Sequence, residues 1–298
     1  LLKVNKKIKQ FTSNGYMKRN SRKHNNYFAH VQRDQKSKEK KIFQFNNNLL
    51  KNKQIPLAGK HTILSALKNK KRKFHYLITT NANYSKWKDE IYRLKLNLDI
   101  IIKTREELDK INNYKPHQNV VLVTDPLQRL SMDDFLSNKI SNNKIPVRLI
   151  LLDEVTDPQN VGAIIRSALA FKMDGLALSK RNSPTETSSL NKASSGAIEK
   201  LQIIEFSNMS REIKKLQKFN FSVYGLDSDG EKDVCELENE TGNVALILGS
   251  EGKGLRRLTR VNVDTLIKIT INSESDSLNV SNAASVAMFQ LQKNIAKN

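Results

Sequence analysis

Hydrophobic positions along the chain change their spacing in a repeating order. Helical spacing over His61–Lys68 gives way to a strand-like run at His75–Thr79, then a helix over Tyr84–Leu94, a strand at Leu98–Ile102, a helix over Arg105–Asn112 and a strand at Val120–Val123. The alternation predicts a small α/β unit. Asp125-Pro126 interrupts it, and the polar residues Ser137, Asn138, Ser141, Asn142 and Asn143 before Pro146 read as an interdomain linker. A second α/β unit opens with Arg148–Asp153, so apolar that it suits a central parallel strand covered on both faces. Further strands are predicted at Leu176–Leu178, Leu201–Ile204, Ser222–Leu226, Val244–Leu248 and Leu266–Ile271, with helices over Val161–Phe171, Glu186–Ala193 and Arg211–Lys218. A closing helix over Val280–Ile295 carries Ala284, Ala287, Met288, Leu291 and Ile295 at helical spacing. The chain thus divides into an arm (1–54), a first α/β domain (55–126), a linker (127–146) and a second α/β domain (147–298), with no internal repeat.

Charge adds a partner to this picture. The 298 residues hold 51 Lys and Arg against 30 Asp and Glu, a net charge of +21 that suits contact with a polyanion, nucleic acid first. The excess is uneven: residues 1–54 contribute +13, with Asp34 and Glu39 their only acids. That stretch has little periodicity and reads as a basic, disordered arm or the remnant of an organellar targeting segment. The alternative is a solvated basic surface that serves solubility alone. A single cysteine, Cys235, excludes an intramolecular disulfide and a Cys-rich zinc site, and the five His show no ligand spacing, so no metal is expected. No apolar run approaches the ~18–20 residues of a membrane span, and no membrane partner is expected.

Three polar segments follow strands of the second domain. The first runs from Asp153 through Asp157-Pro158 to Asn160-Val161-Gly162 and enters a helix that either Asp157 or Asn160 can cap. Six residues separate Asn160 from Arg166, and both are expected to point from one end of that helix toward the carboxyl edge of the sheet, where open α/β folds bind ligands. The plain alternative is a capped helix with a solvated arginine. The second segment, Gly249-Ser250-Glu251-Gly252-Lys253-Gly254, is either a tight turn or a loop whose backbone approaches a ligand closely. It satisfies neither G-x-x-x-x-G-K-[ST] nor G-x-G-x-x-G. The third crosses a polar loop after Ile271 to reach Ser277-Leu278-Asn279-Val280-Ser281, where Ser277 or Asn279 can cap the last helix. Capping explains one such residue, not so many small polar side chains at one helix start.

In order, D-x-V-x-D-P-x-N-x-G-x-x-x-R, L-G-x-E-G-x-G and S-L-N-V-S-x-A resemble the three signature motifs of the SpoU (TrmH) family of RNA ribose 2'-O-methyltransferases, within the SPOUT superfamily. The stretch Asn191-Lys192-Ala193-Ser194-Ser195-Gly196-Ala197 resembles the family's K-x-S-x-G-A, and residues 56–124, opening Leu57-Ala58-Gly59-Lys60-His61, are similar to its small N-terminal substrate-binding domain. The resemblance implies an α/β fold with a C-terminal trefoil-knot methyltransferase domain and a smaller N-terminal α/β substrate-binding domain. It also implies S-adenosylmethionine as cofactor, held through the backbone at Gly249, Ile269 and Leu278, and a homodimer. Arg166 becomes the catalytic candidate, with Asn160, Glu251, Ser277 and Asn279 as its neighbours. An arginine makes a poor general base, because lowering a pKa above 12 to near 7 costs roughly 7 kcal/mol. Pairing with an RNA phosphate and stabilising a developing alkoxide is the less costly role, with Glu251 orienting Arg166 or balancing its charge. The layout is similar to that of large-subunit rRNA guanosine methyltransferases, including mitochondrial ones. The expectation is therefore 2'-O-methylation of a guanosine in large-subunit rRNA, in mitochondria or alternatively the cytoplasm. Methylation of tRNA, or a non-catalytic RNA-binding role in ribosome assembly, is the alternative. Where the family commonly reads I-P-M-x-G, this chain has Ile269-Thr270-Ile271-Asn272-Ser273, without the Pro or the Gly.

Overall fold

A computed structural model of the chain describes residues 54–293, apart from 141–144, 182–183, 185 and 276. The arm expected over 1–54 lies, but for Gln54, outside the described residues, as does Ile295 of the closing helix.

Strands β1 (Ile55–Ala58), β2 (Phe74–Thr79), β3 (Asp99–Ile102) and β4 (Val120–Thr124) form a sheet in the order β1-β4-β2-β3, parallel only between β2 and β3. Helices α1 (Lys60–Leu67), α2 (Asn81–Arg93) and α3 (Arg105–Ile111) connect them. Ile63 and Ala66 on α1 and Trp87 and Ile91 on α2 fall at helical spacing, and they bury against Leu57, Leu77 and Leu122 of the sheet. Strand β1 was not foreseen; its Pro56 argues against a strand, and the sheet accommodates it by placing β1 at an edge.

The rest of the chain builds a second, wholly parallel sheet. Its strands are β5 (Leu130–Ser131), β6 (Arg148–Asp153), β7 (Gly175–Ser179), β8 (Gln202–Phe206), β9 (Phe221–Leu226), β10 (Lys232–Asp233), β11 (Asn243–Gly249) and β12 (Thr265–Lys268), in the order β10-β12-β9-β11-β6-β7-β8-β5. Helices α4 (Met132–Ile140), α5 (Pro158–Ala170), α6 (Ser188–Ser194), α7 (Met209–Lys218), α8 (Arg257–Asn262) and α9 (Val280–Lys293) cover it. Strand β6 is buried throughout, as its composition predicts, and its side chains alternate between two cores. Ile150 and Leu152 join α5, α6 and α9 on one face, whereas Leu149 and Leu151 join α4 and α7 on the other.

Two readings of the sequence need correction. The predicted linker 127–146 contains a strand and a helix of the second sheet: β5 pairs with β8, and Met132, Phe135 and Leu136 of α4 are buried. Those three positions have helical spacing, which the polar residues following them obscure. The predicted strand Leu266–Ile271 stops at Lys268, because its neighbours run out: β9 pairs through Ile267 and the two-residue β10 through Lys268. Residues beyond Lys268 are thereby free to form the wall of a cavity.

Candidate active site

The three polar segments meet at the carboxyl edge of the parallel sheet. Gly249, ending β11, is in register with Asp153, ending β6, so the loops that follow them start side by side. Asp157 settles the first capping alternative: its carboxylate accepts from the Asn160 N–H at 2.9 Å, and Pro158 occupies the first helical position of α5. Asn279 settles the other, accepting at Oδ1 from the Ser281 N–H at 2.9 Å and the Ser281 hydroxyl at 2.6 Å. Helices α5 and α9 are tied by a 2.8 Å hydrogen bond between the Ser167 and Ser285 hydroxyls.

One residue from each segment enters a closed hydrogen-bond triangle. Asn160 donates through Nδ2 to Glu251 Oε2 at 3.0 Å, while Asn279 Nδ2 donates to Asn160 Oδ1 at 3.1 Å and to Glu251 Oε1 at 3.2 Å. Each amide orientation is fixed by the others, and both carboxylate oxygens of Glu251 are engaged while lone pairs remain. Residues 91 and 119 positions apart in sequence from Asn160 are held in one set of donors and acceptors.

Beside the triangle lies a cavity of about 760 Å³, within the size range of small-molecule sites. Gly249, Ile269 and Leu278 all line it, as do Glu251 and Ser277. A side chain at Gly249 would place its Cβ 2.2 Å from the Gly254 carbonyl carbon, so the loop folds back onto a position only glycine can occupy. Gly252 and Gly254 have φ of 82° and 63°, which lets the loop turn and present backbone groups to the cavity. Leu226, Leu248, Ile269 and Leu278 supply apolar walls. In the segment that lacks the family's Pro and Gly, side chains organise the turn: Thr270 donates to Asp233 at 2.8 Å, and Asn272 Oδ1 accepts from the Glu274 N–H at 3.1 Å. Hydrogen bonds from the Cys235 backbone and from Thr270 bring the Asp233 carboxyl down to about 2.

Arg166 does not join the triangle. Six residues of helix fall about 120° short of two turns, so Arg166 and Asn160 do not share a face. Arg166 is exposed and has no hydrogen-bond or ion-pair partner among the described residues, while Glu251 holds Asn160 and Asn279 instead of Arg166. Ser277 is exposed at the cavity. Sequence reasoning missed a brace beneath the site. Buried Asp153 accepts from Arg256 Nε at 2.7 Å and from the Thr259 hydroxyl at 2.7 Å, locking the end of β6 to the chain that follows the glycine loop. The signal was present, since a carboxylate following the apolar run Leu149–Leu152 of a buried strand needs partners.

Two family descriptions match the chain, the SpoU rRNA Methylase family over residues 148–289 and RNA 2'-O ribose methyltransferase substrate binding over residues 56–130. A 23S rRNA (guanosine-2'-O-)-methyltransferase, RlmB, of Coxiella burnetii is 35% identical over 66% of this chain and 78% of its own length. The chain belongs to the SpoU family.

An uncharacterized tRNA/rRNA methyltransferase of Mycobacterium sp. (strain KMS) is 35% identical to this SpoU-family chain over 66% of it, and the alignment spans 62% of that relative. The fold recurs in the SpoU methyltransferase AviRb from Streptomyces viridochromogenes, solved with AdoMet, at a TM-score of 0.69 and 21% identity over 83% of this chain and 92% of that one. It recurs also in an AdoMet-bound rRNA methyltransferase from Sinorhizobium meliloti, at 0.66 and 20% identity over 82% and 88%. Both confirm the α/β architecture expected of a SpoU chain. Among the described residues no helix is long and apolar enough to cross a membrane.

Proposed function

We propose that this chain transfers a methyl group from S-adenosylmethionine to a ribose 2'-oxygen of RNA, with guanosine in large-subunit rRNA as the substrate and mitochondria as the location. The observation that carries the reading is the Asn160–Glu251–Asn279 triangle set against a cavity lined by Gly249, Ile269 and Leu278. Family membership, and a relative named for the same reaction on 23S rRNA, support it. The basic arm supports an organellar address.

The cavity fits the cofactor. Its apolar walls suit a heteroaromatic ring, and the backbone around Gly249 can hydrogen-bond the ring edge without side-chain obstruction. When bound, S-adenosylmethionine supplies an electrophilic methyl carbon on a sulfonium. The chain's work is to align the ribose oxygen with it and to receive the hydroxyl proton. Glu251, which lines the cavity and whose two oxygens are fixed by the two asparagine amides, is the carboxylate assigned to this. Arg166, exposed and without a hydrogen-bond or ion-pair partner among the described residues, is available to an RNA phosphate or a developing alkoxide.

A homodimer is part of the same proposal. Val286 and Phe289 on α9 are 38% and 48% exposed, and Phe289 meets Phe171 edge-on with ring centres 6.0 Å apart, an apolar strip on the paired helices α5 and α9 that a second copy can cover.

Calorimetry with S-adenosylmethionine, followed by mapping of 2'-O-methyl groups on total RNA with and without the gene, tests the reading. Binding of the cofactor and loss of one guanosine methyl in large-subunit rRNA are expected. Loss of a tRNA methyl instead would move the substrate, and absence of cofactor binding would leave an RNA-binding assembly role.

A further inference from the structure

We infer that a second cavity, between the carboxyl ends of β7 and β8 and the starts of α7 and α8, binds phosphodiester groups of the RNA strand next to the nucleotide being methylated. The inference rests on the reading of the chain as an RNA methyltransferase.

The cavity measures about 540 Å³ and is lined by three arginines, Arg181, Arg256 and Arg257, with no carboxylate among the described residues that line it. Arg256 is committed to Asp153 and Glu154, which neutralise it. Arg181 and Arg257 are exposed and have no hydrogen-bond or ion-pair partner among the described residues. Guanidinium groups facing one concavity without a counter-charge repel one another, and an anion that accepts from both removes the penalty. Neutral donors converge on the same space. Ser207 and Ser210 line it, and so does the first turn of the ten-residue α7, whose cap Asn208 satisfies the Arg211 N–H and leaves earlier N–H groups directed outward. The chemistry is that of a phosphate oxygen acceptor.

Position identifies a polymer as the source. Gly249 is in register with Asp153, Leu152 with Leu178, and Ser179 with Phe206, so the mouth of this cavity lies along the same sheet edge as the catalytic triangle. Phe206 stands three strands from Gly249, about 14 Å at ordinary strand spacing. A strand whose ribose sits beside Asn160, Glu251 and Asn279 passes over Arg181 and Arg257 with its neighbouring phosphates. The two sites also share a wall: Arg256 and Thr259 line this cavity and both hold Asp153 beneath the other. Exposed cations suit a chain crossing the surface better than a small anion enclosed by it.

The test uses the full chain, a large-subunit rRNA fragment and S-adenosylmethionine, with Arg181→Ala/Arg257→Ala compared against Lys214→Ala/Lys218→Ala, which removes the same charge from exposed positions farther along α7. The first variant is expected to raise the KM for RNA about tenfold or more with kcat nearly unchanged. It should lower the slope of log affinity against log salt by about 1.4, two single-strand contacts' worth, and leave cofactor binding as it was. Arg181→Lys/Arg257→Lys should recover the salt slope but not the whole affinity, because lysine lacks the planar fork. Equal RNA affinity and salt slope in the two alanine variants would overturn the site. Absence of cofactor binding and methylation in the unaltered protein would instead defeat the functional reading, while the RNA-affinity comparison would still decide the site.

Discussion

Two arginines of this chain occupy opposite electrostatic situations. Arg72, in the turn between α1 and β2, is fully buried and uses all five of its N–H donors. It donates to Glu199 at 2.5 and 3.1 Å, to Glu186 at 2.6 Å, and to Thr124 Oγ1 and the Asp125 carbonyl at 3.3 and 3.1 Å. Burial acts to lower its pKa, but the hydrogen bonds and charge of Glu199 and Glu186 more than reverse this and raise it. Arg166 has none of these partners and faces solvent. The difference separates a guanidinium used to hold segments together from one left open to solvent. Arg72 joins the small domain to the segments flanking α6 and has no donor left for a ligand, whereas no donor of Arg166 is engaged among the described residues.

The largest expected effect comes from breaking the neutralised site. Arg72→Met leaves two buried carboxylates without a counter-ion, and urea unfolding should show a loss of about 3–5 kcal/mol. Restoring neutrality with Arg72→Met/Glu186→Gln/Glu199→Gln should recover much of that loss, as the penalty belongs to uncompensated charge. Next is the bare cation. Arg166→Lys should leave the urea midpoint within about 0.5 kcal/mol of the parent. Its kcat should fall by about 10²–10³ if the guanidinium stabilises the developing oxyanion. An unchanged kcat would remove Arg166 from the chemistry, and a large drop in stability would erase the contrast with Arg72.

A third change separates the Asn160–Glu251–Asn279 triangle from both. Asn279→Ala removes the donor that bridges Asn160 and Glu251 and the acceptor that orders Ser281, so the start of α9 loosens as well. Thermal unfolding should register about 1 kcal/mol and single-turnover methylation a drop of about tenfold, between the two arginine cases in character. Asn279→Asp should retain the cap and still lose turnover, because a second carboxylate would face Glu251.

These contrasts also mark what a sequence can disclose. The strand Arg148–Asp153 was legible with its exact ends because burial on both faces leaves an uninterrupted apolar run. Helix α4 was hidden, because its three buried positions are followed by a polar run that reads as linker. The triangle was foreseen only as a set of candidate residues. Nothing in local spacing says that Glu251 turns to Asn160 and Asn279 instead of Arg166, since that choice depends on how β6, β11 and α9 meet at one sheet edge. Arg72 drew no attention, because its two glutamates lie 114 and 127 positions away. Glycines behaved likewise: positive φ at Gly252 and Gly254 follows from turn chemistry, but Gly162 is needed because a Cβ there would fall 2.5 Å from Ala193 Cβ, a helix contact no local pattern reveals.

The smallest expected effect concerns a carboxylate held by neutral donors alone, the case between the two arginines. Asp233 accepts from the Cys235 backbone and the Thr270 hydroxyl, and its pKa is lowered from an ordinary 3.8 to about 2. A depressed carboxylate contributes stability that is present above its unfolded value and is lost as pH falls from about 4 toward about 2. Because the group is open to solvent, the contribution is under about 1 kcal/mol. It should be seen as a shallow component of the acid limb of stability that disappears in Asp233→Asn. The same window should weaken S-adenosylmethionine binding in the parent more than in Thr270→Val, because Thr270 lines the cavity and depends on the ionised acceptor. Equal pH dependence in parent and variant would show that the wall of the cavity keeps its shape without this bond, and that the missing Pro and Gly are compensated elsewhere in the loop.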